Sequence, residues 1–404
     1  MGTPAYYKEQ VMTYADEDFN RYTRDYSRNN PDEREAIQKE HMNRINQGVE
    51  AWNEFDDAFA EYIKKHNISD PYYDFVGATF SGNAIFYKAT FSGNADFSGA
   101  KFSGKAYFVG ATFRGVANFH GAKFSGNTNF SEATFSQGSV FDKAIFSEDV
   151  EFRGATFSGE TAFTGATFSE VAYFVGTTFD DSAYFMKTKF ESILVLVNVT
   201  AKESAPDFAG IDYKTPPIID GLSVPRPKKD SNPDIDSYRQ LKMIAIDGAN
   251  HEKELEFFGY ETQCKLYLDD TPWPSIALIG SYLFFSDFGQ SILRPILGLF
   301  FVFLVASAST HITVEAGCDP VACENVEHTG AFESKSDAAW SQSIDFILPI
   351  LKADRGTLRQ RNQCLYGHDG VPRINRVINF IQQIVSLVFL FLAGLAIRNR
   401  FKIK

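Results

Sequence analysis

The chain has 404 residues and carries 39 Lys and Arg against 51 Asp and Glu, a formal net charge of −12. That acidity argues against binding nucleic acid through its phosphates, and four cysteines are too few for a disulfide scaffold. The length leaves room for more than one domain, and 40 Phe account for most of the aromatic content.

In chain order, residues 1–70 read as a helical N-terminal cap. They are acidic, with 16 acids and 9 bases up to residue 74. The first 30 residues are polar and charged, so no cleavable signal peptide is expected. Pro31 breaks the segment, and a second helix starts at Pro31 or Asp32. Its apolar residues, Ile37, Ile45, Val49, Trp52, Phe55, Phe59 and Ile63, form one helical stripe. Such a helix suits an end that must be covered, since an open β-solenoid exposes strand edges; a docking helix is the alternative.

Phe75 opens a ladder. Phe recurs at 80, 86, 91, 97, 102, 108, 113, 119, 124, 130 and on to 190, with gaps that alternate strictly between five and six. The true period is therefore eleven, a spacing that drifts off any helical face and marks a solenoid. Ala84, Ala89, Ala95 and Ala100 each stand two residues before a Phe, so large and small inward groups alternate and fill a narrow interior. Ser81-Gly82 and Ser103-Gly104 follow their Phe and suit tight corners that need unusual dihedrals.

The unit ATFSG followed by NADFSG at Ala89–Gly99 resembles the pentapeptide repeat, in the sub-type where every second pentapeptide gains one residue. Gln47-Gly48-Val49-Glu50-Ala51-Trp52-Asn53 is similar to the lead-in of many bacterial arrays of this kind. The resemblance implies a right-handed, quadrilateral β-helix over 71–200 with the ladder Phe and the preceding Ala inside. Four faces of 5+6+5+6 residues make a 22-residue coil, so the ladder predicts about five and a half coils.

After Phe190, Ile193–Val197 is expected as one last strand. Residues 201–235 are Pro-rich and are expected as a linker. Residues 236–270 read as a helical hairpin, with stripes at Tyr238, Leu241 and Ile244 and at Leu255, Phe258 and Leu266. Their wording, Tyr238-Arg239-Gln240-Leu241-Lys242 and Glu254-Leu255-Glu256-Phe257-Phe258, resembles segments that join such arrays to membrane domains.

Residues 271–404 are expected as a membrane domain. Transmembrane helices are predicted at about 291–309 and 377–397, with Trp273 and Tyr282 in an interfacial segment ahead of the first. Arg398, Arg400, Lys402 and Lys404 follow the second span, so both termini are expected in the cytoplasm of a bacterium, at its inner membrane. The intervening loop, 311–371, holds nine acids and five bases and suits the outside. There Cys318, Cys323 and Cys364 offer one disulfide with a thiol left over; zinc with His311, His328 or His368 is the alternative. A short apolar helix at 338–351, with Trp340, Asp345 and Pro349, is too short to span and reads as a surface or re-entrant element. No TVGYG-type filter follows it, and Asp345 is its one acid, able to form a charged ring in an oligomer.

No phosphate loop, nucleophile elbow or H-E-x-x-H motif is found, so neither an enzyme nor a cofactor is expected. The function read from the sequence is a membrane-bound scaffold that presents its β-helix to an unknown cytoplasmic protein partner, with the lipid bilayer as its other partner. The alternative is an oligomeric ion channel, a homo-oligomer gated by the repeats. Mimicry of DNA toward gyrase needs a strongly acidic column, and residues 75–190 hold 10 acids and 9 bases.

Overall fold

The computed structural model of the protein describes residues 31–68, 71–228, 234–268, 271–288, 290–315 and 373–401, together with 338, 341–342, 358, 361–362 and 365. It divides into two compact units, one through Tyr267 and one from Leu268.

The first unit is a four-sided β-solenoid closed at both ends by helices. Its strands are two or three residues long and stack into four parallel sheets. The first face runs from Tyr72–Asp74 up to Ala183–Tyr184, and the second from Thr79–Phe80 to Asp212–Tyr213. The third runs from Ala84–Ile85 to Leu194–Val195, and the fourth from Thr90–Phe91 to Thr200–Ala201. Paired residues lie 22 apart, as in Phe80 with Phe102 and Thr90 with Thr112. Each ladder Phe therefore stacks on the Phe one coil away.

The five/six alternation has a structural cause. On the second and fourth faces the Phe belongs to the strand, as in Thr112–Phe113, with Thr outside and Phe buried. On the first and third faces the strand carries the inward Ala, as in Ala106–Tyr107, and the Phe follows it at the start of a turn. That turn is closed by a bond such as Ala100 N to Phe97 O, 3.0 Å. Its third residue has positive φ, +64° at Gly99 and +62° at Gly121, as a type II turn requires. The expectation that Gly82 and Gly104 answer an unusual dihedral is thus corrected, since the left-handed residues belong to the other corner. Gly104 is instead crowded: a Cβ there would come within 2.6 Å of the Gly82 carbonyl oxygen.

Inside, the rings form four columns. Coil-to-coil neighbours stack nearly parallel, with centroids 4.5 Å apart for Phe75 and Phe97 and 5.1 Å for Phe130 and Phe152. Rings on opposite faces meet edge to face across the column, as Phe97 does with Phe108 at 5.9 Å. Both arrangements suit the aromatic quadrupole. Polar residues at the small inward positions find local partners. Thr177 Oγ1 donates to Phe152 O at 2.7 Å, and Thr188 Oγ1 to Phe163 O at 2.8 Å.

The column continues beyond the boundary drawn at 200. Asp212–Tyr213 pairs with Lys189–Phe190, and bridges join Tyr184 to Asp207, Val195 to Ile218 and Thr200 to Ser223. All four offsets are 23 rather than 22, so one residue is inserted between Thr200 and Asp207. Phe208 stacks on Phe185 at 5.0 Å, while Ile219, Leu222 and Val224 fill the remaining inward positions. Residues 201–224 of the expected linker are therefore a further coil.

Helices α1 (Pro31–Gln47) and α2 (Val49–His66) cover the first coil. They break at Gly48, φ +115°, where one continuous apolar stripe was expected. Their side chains replace the missing strand below. Asn53 donates to Lys88 O at 3.1 Å and accepts from Thr90 N at 2.9 Å. Asp56 accepts from Ser92 N and from its hydroxyl, both at 2.8 Å, and from Tyr73. Trp52 is fully buried over Phe91, its Nε1 donating to Thr90 O at 2.7 Å. Arg34 pairs with the buried Asp74 at 2.7 Å.

The opposite end is closed by α3 (Ile235–Asp247) and α4 (His251–Cys264), followed by a 3-10 turn at Lys265–Tyr267. Gln240 Oε1 accepts from Phe208 N at 2.9 Å, and Lys253 Nζ donates to Leu222 O. Leu241, Ile244, Ala245 and Phe257 are buried in the same core as the Phe columns. The helical hairpin expected as a connector is present and also closes this end of the column.

The second unit contains α5 (Trp273–Ser286), α6 (Leu293–Glu315) and α7 (Arg373–Phe401). Gly298 of α6 lies against the Phe389 ring, where a Cβ would meet ring atoms at 2.2 Å. Phe285 meets the same ring edge-on at 5.0 Å. Among the described residues one helix is long and apolar enough to cross a membrane, Arg376–Arg398 within α7. The apolar part of α6, Leu293–Val305, is shorter than a crossing needs; of the two spans expected, the second alone meets that measure.

Candidate interaction surface

Because the register is fixed at 22, each face of the column displays a vertical file of residues chosen independently of the core. The fourth face is a file of Thr90, Thr112, Thr134, Thr156, Thr178 and Thr200. The second face shows Thr79, Lys101, Lys123, Ile145, Thr167 and Lys189. Lys189 pairs with Glu191 at 2.7 Å, raising its own pKa and lowering that of Glu191. On the first face Asp96 accepts from Ser98 N, Asn118 Nδ2 and Tyr72 OH, a satisfied polar ladder rather than an open site.

The third face differs. Its lower rungs carry Ile85 and Tyr87, both exposed, and then Tyr107. Asn129 and the Glu151–Arg153 ion pair, 3.3 Å, occupy the middle. Above them Tyr173, Val195 and Ile218 point outward in register. The Arg153 guanidinium lies over the Tyr173 ring at 4.2 Å.

At the inserted residue the ladder opens into a cleft of about 300 Å³, lined by Tyr184, Lys202, Glu203, Arg226 and Asp234 among others. Its charges are mixed, and Lys202 already pairs with Asp180 at 2.6 Å.

Several of the ionisable groups held far from ordinary behaviour belong to the caps. His41 is fully buried among Trp52, Phe55, Tyr73 and Phe75, and burial lowers its pKa to about 4. Burial also pushes the Asp56 carboxyl up, against the pull of its hydrogen bonds from Tyr73 and Ser92. Burial raises the Cys264 thiol to about 12, which makes it a packed core residue and a poor nucleophile. Among the described residues no three His, Cys, Asp or Glu gather where they could hold a metal.

Of the residues singled out from sequence, Phe80, Phe86, Phe91, Phe97, Phe102, Phe108, Phe113, Phe119, Phe124 and Phe130 are all buried in the column. Trp340, Asp345 and Pro349, and Cys318, Cys323 and Cys364, lie outside the described residues. The capping side chains Asn53, Asp56, Gln240 and Lys253 were missed. They are ordinary polar residues on helices, and only the strand edges they meet give them a role.

The family model for pentapeptide repeats (9 copies) matches residues 75–122, 108–156 and 152–200. The solenoid is a pentapeptide-repeat array. No curated protein and no solved structure matches the chain. The matched span ends at the insertion, so the last coil of the pentapeptide-repeat column lies beyond it. The third face and the two caps are features of this chain that the repeat pattern alone does not dictate.

Proposed function

We propose that the protein is a membrane-anchored scaffold whose pentapeptide-repeat column presents flat faces to a protein partner. The observation that carries the anchor is the outer surface of the second unit. Trp273, Leu278, Phe284, Phe300, Phe301, Phe380 and Phe391 are all more than half exposed, and they are spread over all three helices. A soluble unit rarely leaves so much apolar surface in water, whereas a bilayer accepts it. In this reading α7 crosses, α6 crosses beside it over its full 23 residues although only its first part is apolar, and the basic residues at the end of α7 and beyond it hold that end in the cytoplasm together with the column.

The test is fractionation of the full-length protein expressed in bacteria. Retention in the membrane pellet after alkaline carbonate supports the anchor, and release into the supernatant rejects it. Reporter fusions after Lys404 and within 316–337 then decide the orientation.

A second reading, an oligomeric channel gated by the column, is favoured by one feature. Gln382 and Ser386, four apart on α7, are buried polar residues in its span, and polar groups turned inward in membrane helices either bond neighbouring helices or line a path for ions. Reconstituted liposomes should then leak ions, and Gln382→Leu or Asp345→Asn should change the flux. A tight liposome for the wild type counts against it.

A further inference from the structure

We infer that the third face of the column is the surface through which two copies of this chain pair side by side, rung against rung. The inference rests on the membrane-anchored reading above, because anchored copies share one orientation and a crowded plane.

The upper rungs of this face are apolar across their width. Val171, Tyr173 and Val175 form one rung, and Ile193, Val195 and Val197 the next. All six are partly exposed, on a flat sheet with no charge among them. The other three faces carry Thr, Lys, Ser, Asn and Asp at most of the matching positions. Exposed apolar residues clustered on one face of four mark a contact surface.

The rung beneath the patch decides the occupant. It presents Asp149, Glu151 and Arg153 together. A two-fold axis parallel to the column sets each rung against the same rung of the second copy. Apolar residues then meet apolar residues, and each Arg153 meets Asp149 of the opposing rung, while Glu151, on the axis, meets its own image and is balanced by the Arg153 of its own chain at 3.3 Å. The face is thus complementary to itself.

Size explains why the membrane matters. Seven rungs at about 4.8 Å give a face about 30 Å tall. With three side chains per rung it covers roughly 400 Å², about half of what each partner of a stable soluble complex contributes. Pairing is therefore weak in dilute solution and is expected where anchoring raises the effective concentration.

Full-length Val195→Cys, expressed in membranes and oxidised with copper phenanthroline, tests this. Val195 faces its own image across the axis, so a disulfide-linked dimer several-fold above that of wild type and of Thr156→Cys on the fourth face is expected. Adding Arg153→Glu should reduce the dimer, and the swapped pair Asp149→Arg with Arg153→Glu should restore it. The same oxidation is run on concentrated purified protein, and carbonate extraction is scored separately, so loss of the anchor is read independently of loss of pairing. A Val195→Cys yield no higher than that of Thr156→Cys in both preparations overturns the inference. So does a cross-link at residue 195 to a different protein.

Discussion

Phe119 lies against six other rings. It stacks between Phe97 at 4.9 Å and Phe141 at 5.0 Å, meets Phe113 and Phe124 around the corners, and meets Phe108 and Phe130 across the column. No smaller side chain fills that volume, and the backbone ladder above and below resists collapse. Phe119→Ala is expected to cost about 3–5 kcal/mol, read as a lowered midpoint in urea. His41 gives a second residue-scale prediction. Its folded pKa, about 4, lies below the unfolded value near 6.5, so its contribution is fully present above 6.5 and is lost as pH falls toward 4. The loss is on the order of 3 kcal/mol. Asp56, with a raised pKa, acts in the opposite sense, being most favourable at low pH. Thermal melts at pH 7 and pH 4.5 should therefore differ less for His41→Gln than for wild type.

At the scale of the element, both caps solve one problem with the same means. A solenoid end leaves strand N–H and C=O groups unpaired, and side chains on helices supply the partners. Asn53→Ala leaves Thr90 N–H unpaired under a helix, and a loss of about 1–3 kcal/mol is expected. Exchange of the Thr90 amide with deuterium should quicken, while amides in the middle coils keep their protection. Gln240→Ala should do the same at Phe208. The sequence made the period, the core Phe and the helical ends legible, because one large residue type recurs at fixed spacing. It hid the last coil. Beyond Phe190 the Phe gives way at Leu196, Ala201, Tyr213 and Ile219, with Phe208 alone keeping its place, and prolines that signal a linker in isolation are tolerated at corners. It also hid the chemistry of the faces, which has no pattern along the chain and emerges only when residues 22 apart are brought into register.

At the scale of the whole molecule, the first unit has a core that runs unbroken from Ile37 to Cys264. A chain ending at Tyr267 should therefore fold, melt cooperatively and stay in the supernatant without detergent. The full-length protein should require detergent, with gel filtration of both chains as the check. The pentapeptide-repeat column then behaves as an independent body whose surface can be altered without touching its stability. Thr134→Lys on the fourth face is expected to shift the melting temperature by no more than a degree or two, since surface changes cost within about 0.5 kcal/mol.

The fixed 22-residue coil makes the column both a ruler and a protractor. Inserting one whole coil, for example a second copy of residues 108–129, moves the closing hairpin outward by about 4.8 Å and leaves its direction nearly unchanged. Inserting a single eleven-residue unit advances it by half that height and turns it to the opposite side. The added residue between Thr200 and Asp207 does neither, since all four faces resume above it. Height and bearing can thus be set separately in this chain, by counting residues in elevens.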